Sequence, residues 1–369
     1  MSTLNVNTIN AATSGQAVAV DVKNPRSFRN LIINGAMQVA QRGNSTSVGT
    51  SGYYGPDRFK YAEVSDAVFS ISKSTESPDG FSSSYHMDCT TADTSVAATD
   101  YARILTVLEG QDVQAFAKGT SSAKKGVLSF YVKTNKTGTY SLFYFDSDNN
   151  RQFNATYTVS DSNWNRYTIE IPADTTGALT NDNNASIEIY WHLVAGSNRT
   201  TGSLDATWNT YTGTKEAAGH NVNFADSTSN DFYITGIQLE VGDYATDFEH
   251  RSYGAELARC QRYFQIQYGG SDAYIEAGKG QGTTSVDVGH ALAVPLRAEP
   301  SITCPSNRVF RHNGYSDSTA TPTVIQWSTT TSPLSSVIAL NLSGHSGITS
   351  NYVTNWCPKA TTLQLDSEL

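Results

Sequence analysis

The alternation of apolar and polar side chains is the feature that most constrains how this chain can fold. In residues 186–194, SIEIYWHLV, one apolar set alternates with a more polar set: Ile187, Ile189, Trp191 and Leu193 against Glu188, Tyr190 and His192. A period of two places the two sets on opposite faces of a β-strand. Similar short runs, separated by turns rich in Gly, Asn, Asp and Ser, continue from residue 26 to 250. They predict a mainly β protein with a jelly-roll β-sandwich.

Composition narrows the classes of partner. Charged residues make up 16% of the chain and the net charge is -9, so Ser, Thr, Asn, Gln and Gly must supply most of the polar surface. An acidic surface of this kind argues against a nucleic-acid partner, because phosphate binding needs a basic patch. Nowhere do 18 apolar residues follow one another, so we expect no membrane insertion.

Gly236 marks a change of phase within one predicted strand. In FYITGIQLEVG, Phe232 and Ile234 share one parity, whereas Ile237 and Leu239 share the other. A β-bulge adds one residue to a strand and would return both pairs to the same face. The sequence therefore predicts a bulge at Gly236.

Residues 252–268 have a different period. Four side chains fall at helical spacing on one face: Tyr253, Leu257, Cys260 and Phe264. Ser252 is a suitable N-cap. The stripe has two interpretations: it packs against the edge of the sandwich, or it packs against symmetry mates around a threefold axis. With the low charge of the chain, the second predicts a homotrimer, since closed symmetry covers exposed edges.

The chain thus divides into four parts. Residues 1–25 are too poor in bulky apolar groups to fold alone, and they are interpreted either as a disordered tail or as an anchor that orders on a partner. Residues 26–250 form the sandwich, 251–268 the helix, and 269–369 a smaller β domain.

Three segments together resemble a domain of bacteriophage tail-fibre and related virion proteins: NLIINGAMQVAQRG (30–43), YYGPDRFKY (53–61) and ITGIQLEVGDYATDFEHRSYGAELARCQRYFQ (234–265). The third is the most specific. The resemblance implies a carbohydrate-binding-module-like jelly roll built into trimeric fibres. It also implies that residues 1–25 attach to other tail proteins, and that the protein is made in the bacterial cytoplasm and resides in the virion.

The charged residues of these segments have a structural interpretation. Asp57 and Arg58 precede Phe59 and suit a buried ion pair. Glu240 and Glu249 flank a turn and, with Asp247, are placed to pair Arg251 or Arg42. We interpret them as fold-closing pairs. The alternative is a structural calcium ion, but no loop shows the clustered oxygen spacing that calcium needs, so no cofactor is predicted.

No pattern for catalysis is present. The chain lacks G-x-S-x-G, H-E-x-x-H and the phosphate-binding Gly-rich motif, so we expect no enzyme. Sugar binding is the stronger interpretation, since sugar rings stack on exposed aromatic side chains. The candidates are Trp208, Tyr211, Tyr190, Trp327 and Trp356.

The sequence therefore predicts a tail-fibre protein that attaches to the virion by its N-terminus and binds a host-surface glycan or receptor. Chain order favours the distal residues 271–369 for host contact, and the competing location is the sandwich near Trp208 and Tyr211. Two other functions remain open: a decoration or tail-connector protein without a receptor role, and a polysaccharide-cleaving fibre enzyme.

Overall fold

A computed structural model describes residues 29–268, 276–281, 285–303, 308–312, 316–320, 324–327, 337–343, 353–358 and 362–369. Its strands are β1 (Ser45–Val48), β2 (Gly52–Tyr53), β3 (Lys60–Val64), β4 (Val68–Ser74), β5 (Ser84–Thr91), β6 (Tyr101–Glu109), β7 (Gly126–Thr134), β8 (Gly138–Asp146), β9 (Arg151–Val159), β10 (Asn165–Ile171), β11 (Ala185–Ala195), β12 (Asn209–Thr210), β13 (Asp231–Val241), β14 (Phe264–Tyr268), β15 (Glu276–Gln281), β16 (Ser285–Ala291), β17 (Ser301–Thr303), β18 (Arg308–His312), β19 (Ser316–Ala320), β20 (Val324–Trp327), β21 (Val337–Ser343), β22 (Val353–Pro358) and β23 (Thr362–Asp366). The α-helices are α1 (Ser197–Thr200) and α2 (Tyr253–Gln261). Within the described ranges, no helix is long and apolar enough to cross a membrane.

Two antiparallel sheets form the sandwich. Sheet A has the order β1-β4-β5-β13-β7-β10, and sheet B has the order β12-β9-β8-β11-β6-β3-β2. Their inner faces share one core, in which Phe130 of sheet A meets Trp191 of sheet B edge to face, with 5.8 Å between ring centroids. The inward residues are those that the alternation assigned to the core, including Ile187, Ile189 and Trp191. The predicted mainly β jelly-roll sandwich is confirmed.

The bulge at Gly236 is also confirmed. The register of β13 against β7 shifts between Thr235 and Gln238, and Gly236 has a φ of 62°. This left-handed conformation costs glycine little. A side chain here would also collide with the rings of Tyr131 and Phe81. Because of the extra residue, Phe232, Ile234, Ile237 and Leu239 all enter the core.

The helix is shorter than the prediction. Ser252 is its N-cap, and its hydroxyl accepts a hydrogen bond from the amide of Ala255 at 3.3 Å. However, α2 ends at Gln261, and Phe264–Tyr268 forms strand β14. The physical reason is that RYFQIQY also carries a period of two, and pairing along the whole of β23 outweighs a further helical turn.

The chain returns to the sandwich at its last described residues. Strand β23 pairs with β14 and β17 in a three-stranded sheet, and the amide of Ser367 donates to the carbonyl of Tyr263 at 2.8 Å. A separate seven-stranded sheet, of order β19-β18-β22-β15-β16-β21-β20, forms between these strands in the chain. Residues 269–369 are thus divided between two sheets. Residues 362–369 turn back to the sandwich, whereas the anchor, residues 1–25, lies outside the described residues, so host contact through residues 271–369 stays a prediction.

Candidate functional site

The three segments that resemble virion fibre proteins meet in space, beginning at Asn30. Its side-chain amide donates to the carbonyl of Ile237 at 3.1 Å, and its Oδ1 accepts from the amide of Leu239 at 3.1 Å. The amide of Asn30 donates to Glu249 at 2.7 Å. The first segment is therefore held along the last strand of the sandwich by groups that are buried and satisfied.

Asn34 joins all three segments. Its Nδ2 donates to the carbonyls of Val39 at 2.8 Å and Asp57 at 2.9 Å, and its own amide donates to the carboxylate of Glu256 on α2. The φ of Asn34 is 60°, a conformation that asparagine tolerates better than most residues. The neighbouring carbonyl of Gly35 accepts from the amide of Ile237 at 3.0 Å.

Asp57 and Arg58 are buried, but the expected pair between them is wrong. Asp57 accepts two hydrogen bonds from Gln41, at 2.9 and 2.6 Å. Arg58 forms an ion pair with Glu368 and lies over the ring of Tyr263, 3.3 Å from its centroid. The side chains of consecutive residues point in different directions, so Asp57 and Arg58 bind different partners. Burial opposes the charged guanidinium, but the Glu368 carboxylate raises the pKa of Arg58 above its ordinary value.

Glu240 and Glu249 close the fold as predicted, although not with every expected partner. Glu240 accepts from the amide and the hydroxyl of Thr246, both at 2.8 Å, and lies 3.7 Å from Arg29. Glu249 lies 3.7 Å from Arg251. Across the described residues, no group of three or more His, Cys, Asp or Glu side chains is arranged to hold a metal ion.

A cluster of rings lies on the outer face of sheet B, and we call it the aromatic face. Its residues are Tyr101, Phe143, Phe145, Tyr190 and Tyr211. The strand register places Phe143, Tyr190 and Leu105 side by side. Tyr211 follows β12 and meets the edges of Phe143 and Phe145 at centroid distances of 6.1 and 5.2 Å. Two sequence candidates, Tyr190 and Tyr211, thus belong to one cluster. Tyr190 is 8% exposed and Phe143 is 1% exposed, so the expectation that the Tyr190 ring is exposed is wrong, and the open ring surface is that of Tyr101, Phe145 and Tyr211. Phe143 and Phe145 are two residues apart in β8 and therefore share one face of the strand. This spacing in the sequence could have identified both as members of the cluster.

Polar groups surround the aromatic face. The hydroxyl of Tyr190 donates to Glu188 at 2.6 Å, and that of Tyr211 donates to Glu216 at 3.1 Å. Arg103 pairs with Glu216, and its guanidinium lies 4.1 Å from the centroid of the Tyr190 ring. Burial is the main cause that raises the pKa of the Tyr190 hydroxyl, and the negative charge of Glu188 raises it further. The arrangement offers the partly exposed rings of Tyr101, Phe145 and Tyr211 beside the Glu188 carboxylate and the Arg103 guanidinium.

His192 lies beneath this polar group. Its side chain is fully buried, and its Nε2 is 3.7 Å from Glu216. Burial lowers the pKa of His192 well below its ordinary value, and the nearby Arg103 guanidinium adds to the effect. His192 is therefore neutral at neutral pH and packs without a charge under the face.

The expectation that Trp208 is exposed is wrong. It is 9% exposed, and its Nε1 donates to the carbonyl of Pro172 at 2.9 Å. It lines a cavity of about 30 Å³, which is large enough for about one water molecule and not for a sugar ring. The polar sequence around Trp208 concealed this burial, because the covering loop comes from another part of the chain. Trp327 and Trp356 lie on β20 and β22, and their side chains are outside the described residues.

The helix stripe is used mainly within the chain. Cys260 and Phe264 are 0% and 1% exposed, so neither is available to a partner, and their assignment to a trimer contact is wrong. The inward face of α2 carries Glu256 and Cys260, one turn apart. Leu257 is half-buried, whereas Tyr253 is 57% exposed. Only the N-terminal end of the stripe faces outward.

Comparison with known proteins finds similarity to solved structures only. No family model and no curated protein sequence matches the chain. A family 11 carbohydrate-binding module of Clostridium thermocellum is 12% identical over 55% of this chain and 98% of its own, with a TM-score of 0.29. A putative sugar-binding protein from Bacteroides thetaiotaomicron is 11% identical over 58% of this chain and 100% of its own, with a TM-score of 0.29. A xylan-binding domain of carbohydrate-binding-module family 22 is 14% identical over 57% of this chain and 99% of its own, with a TM-score of 0.28. The sandwich assignment rests on the strand pairing described above.

Proposed function

We propose that this chain is a carbohydrate-binding protein of a bacteriophage tail fibre, and that its aromatic face contacts a glycan of the host surface. The observation that carries the proposal is the grouping of partly exposed Phe145, Tyr211 and Tyr101 with the carboxylate of Glu188 and the guanidinium of Arg103. The mechanism is binding without turnover.

The chemistry of a sugar matches this surface. The apolar C–H face of a pyranose ring stacks on an aromatic ring, and its hydroxyls need hydrogen-bond partners at the rim. Glu188 supplies an acceptor, and Arg103 supplies a charge-assisted donor. The rings are held by cross-strand packing and by their own hydroxyl bonds, so little side-chain entropy is lost when a ligand binds.

The virion setting is supported by the three motif segments. The contacts of Asn30 with Glu249, of Asn34 with Asp57 and of Arg58 with the Tyr263 ring connect the segments, which gives the motifs a role in building the fold. A fibre would present many copies of a weak site, and linked sites raise effective concentration. The predicted anchor, residues 1–25, lies outside the described residues, and its attachment to other tail proteins is part of the proposal.

Replacing Tyr211 with alanine should weaken glycan binding. The variant loses one wall of the aromatic face and the bond to Glu216, and we expect about a tenfold loss of affinity. Tyr211→Phe keeps the ring and should retain most of the affinity. The measurement is retention on an array of neutral oligosaccharides, followed by calorimetric titration of the best ligand.

The matched control is Tyr244→Ala, a tyrosine that is 38% exposed in the turn after β13 of sheet A. It should bind as the wild type does. The proposed function is refuted if the wild-type protein retains no member of the array, and the site is misplaced if Tyr211→Ala binds normally.

The isolated protein should be a homotrimer in solution. Tyr253 is 57% exposed at the start of α2, and a threefold contact would cover it. We expect light scattering to give three times the mass of one chain at micromolar concentration, and Tyr253→Asp to shift the mass toward one chain. A wild-type mass of a single chain would contradict the trimer.

A further inference from the structure

Trp164 lies on the other side of the sandwich, in the turn between β9 and β10. Its indole is half-buried, and its Nε1 donates to Glu76 at 3.1 Å. The turn is braced by Asp161, which accepts from the amide of Asn163 at 2.9 Å and from the side chain of Asn165 at 2.9 Å. The indole is therefore oriented by hydrogen bonds rather than by burial, which leaves part of the ring surface open.

Two further rings lie beside Trp164 on the outer face of sheet A. Tyr233 and His86 are cross-strand partners, and their rings are stacked with centroids 4.2 Å apart and planes 2° from parallel. His86 is fixed by Asp231 at 2.7 Å. The Trp164 and Tyr233 centroids are 6.2 Å apart with planes at 61°, so the rings form a corner with a stacking surface and an adjoining wall.

The charges around this corner are compensated. Lys133 pairs with Glu76 at 2.7 Å, and His86 bonds to Asp231. Hydrogen bonds from Lys133, and then from Trp164, hold the pKa of Glu76 below its ordinary value, so its carboxylate accepts hydrogen bonds at neutral pH. A surface with paired charges, open rings and fixed acceptors suits an uncharged ligand rich in hydroxyls better than an anionic one.

We propose that Trp164, Tyr233 and His86, here the Trp164 platform, form a second binding site for a neutral pyranose sugar. Its polar rim comprises Glu76, Lys133 and Asp231. Sheet A and sheet B turn their outer faces in opposite directions, so the platform is separate from the aromatic face. The chain is then bivalent, and one copy can hold two glycan strands.

The test is calorimetric titration with the neutral oligosaccharide that the array selects. The wild type should show two sites per chain. Trp164→Ala and Tyr211→Ala should each weaken one of them at least tenfold, so that this site contributes no resolved equivalent at the concentration that saturates the other, and the double variant should weaken both. Trp164→Phe keeps a ring without the indole N–H and should bind at least tenfold more tightly at the platform than Trp164→Ala. Thermal melts of all variants verify folding.

The control is again Tyr244→Ala. The turn that holds Tyr244 follows Val241, which pairs with Gly126 at one end of β7, whereas Asn165 beside Trp164 pairs with Val132 near the other end. The platform is overturned if Trp164→Ala folds and loses no equivalent. If Trp164→Ala loses an equivalent and Tyr211→Ala loses none, the platform is supported as a sugar site and the aromatic face is refuted as one.

Discussion

Replacing Arg58 with alanine should lower the free energy of unfolding by about 3–5 kcal/mol, the usual cost of removing one partner of a buried ion pair. Arg58 and Glu368 have side chains that are 2% and 4% exposed, so the variant leaves a buried carboxylate with the Arg42 guanidinium, 3.3 Å away, as its remaining cation. It also removes the bond from Arg58 to the carbonyl of Val107 at 2.7 Å. Chemical denaturation followed by circular dichroism measures the effect.

Two comparisons isolate the cause. Lys136→Ala breaks an ion pair with Asp226 whose side chains are 29% and 34% exposed, and it should cost no more than about 1 kcal/mol. Combining Arg58→Met with Glu368→Leu should restore most of the lost stability, since apolar groups of similar volume often replace a buried pair without loss. An Arg58→Ala protein as stable as Lys136→Ala would contradict the role given to this pair.

Replacing Gly35 with alanine should destabilise the protein by about 3 kcal/mol, the upper part of the range for overpacking a tight contact. A methyl group at Gly35 would overlap the backbone carbonyl of Ile237, where no flexible side chain can move aside. The bond between Ile237 and Gly35 would also be strained. The thermal midpoint and the denaturant midpoint should both fall.

Gly254 provides the control for this substitution. A methyl group there meets nothing within 4 Å, and Gly254 lies in α2, where alanine is favoured over glycine by up to about 1 kcal/mol. Gly254→Ala should therefore leave stability unchanged or raise it. If Gly35→Ala behaves like Gly254→Ala, the first segment does not pack against β13 as described.

The sequence predicted those features that depend on a short stretch of chain. The alternation around Trp191 placed the core face of β11, the phase change placed the bulge at Gly236, and Ser252 marked the start of α2. Each follows from local side-chain period or backbone geometry. The end of α2 could not be predicted in this way, because the strand that follows it, β14, is stabilised by pairing with β23, almost a hundred residues later.

The candidate site was predicted only in part, for the same reason. Tyr190 was placed on the outward face by parity, and Tyr211 proved to be its neighbour through Phe143. Trp208 was misplaced because its cover, including Pro172, comes from another segment. No sequence pattern predicted a site at Trp164, because its hydrogen-bond partner Glu76 is 88 residues away in the chain. The pairing of Arg58 with Glu368 spans 310 residues, beyond any spacing rule.

The central claim is that the aromatic face binds a sugar, and a crystal structure with the tightest-binding neutral oligosaccharide tests it most directly. We predict a pyranose ring stacked on Tyr211 or Phe145, with hydroxyls bonded to Glu188 or Arg103. A further sugar on the Trp164 platform would agree with the second site. Sugar bound only elsewhere in the chain, with the rings of the aromatic face unoccupied, would contradict the claim.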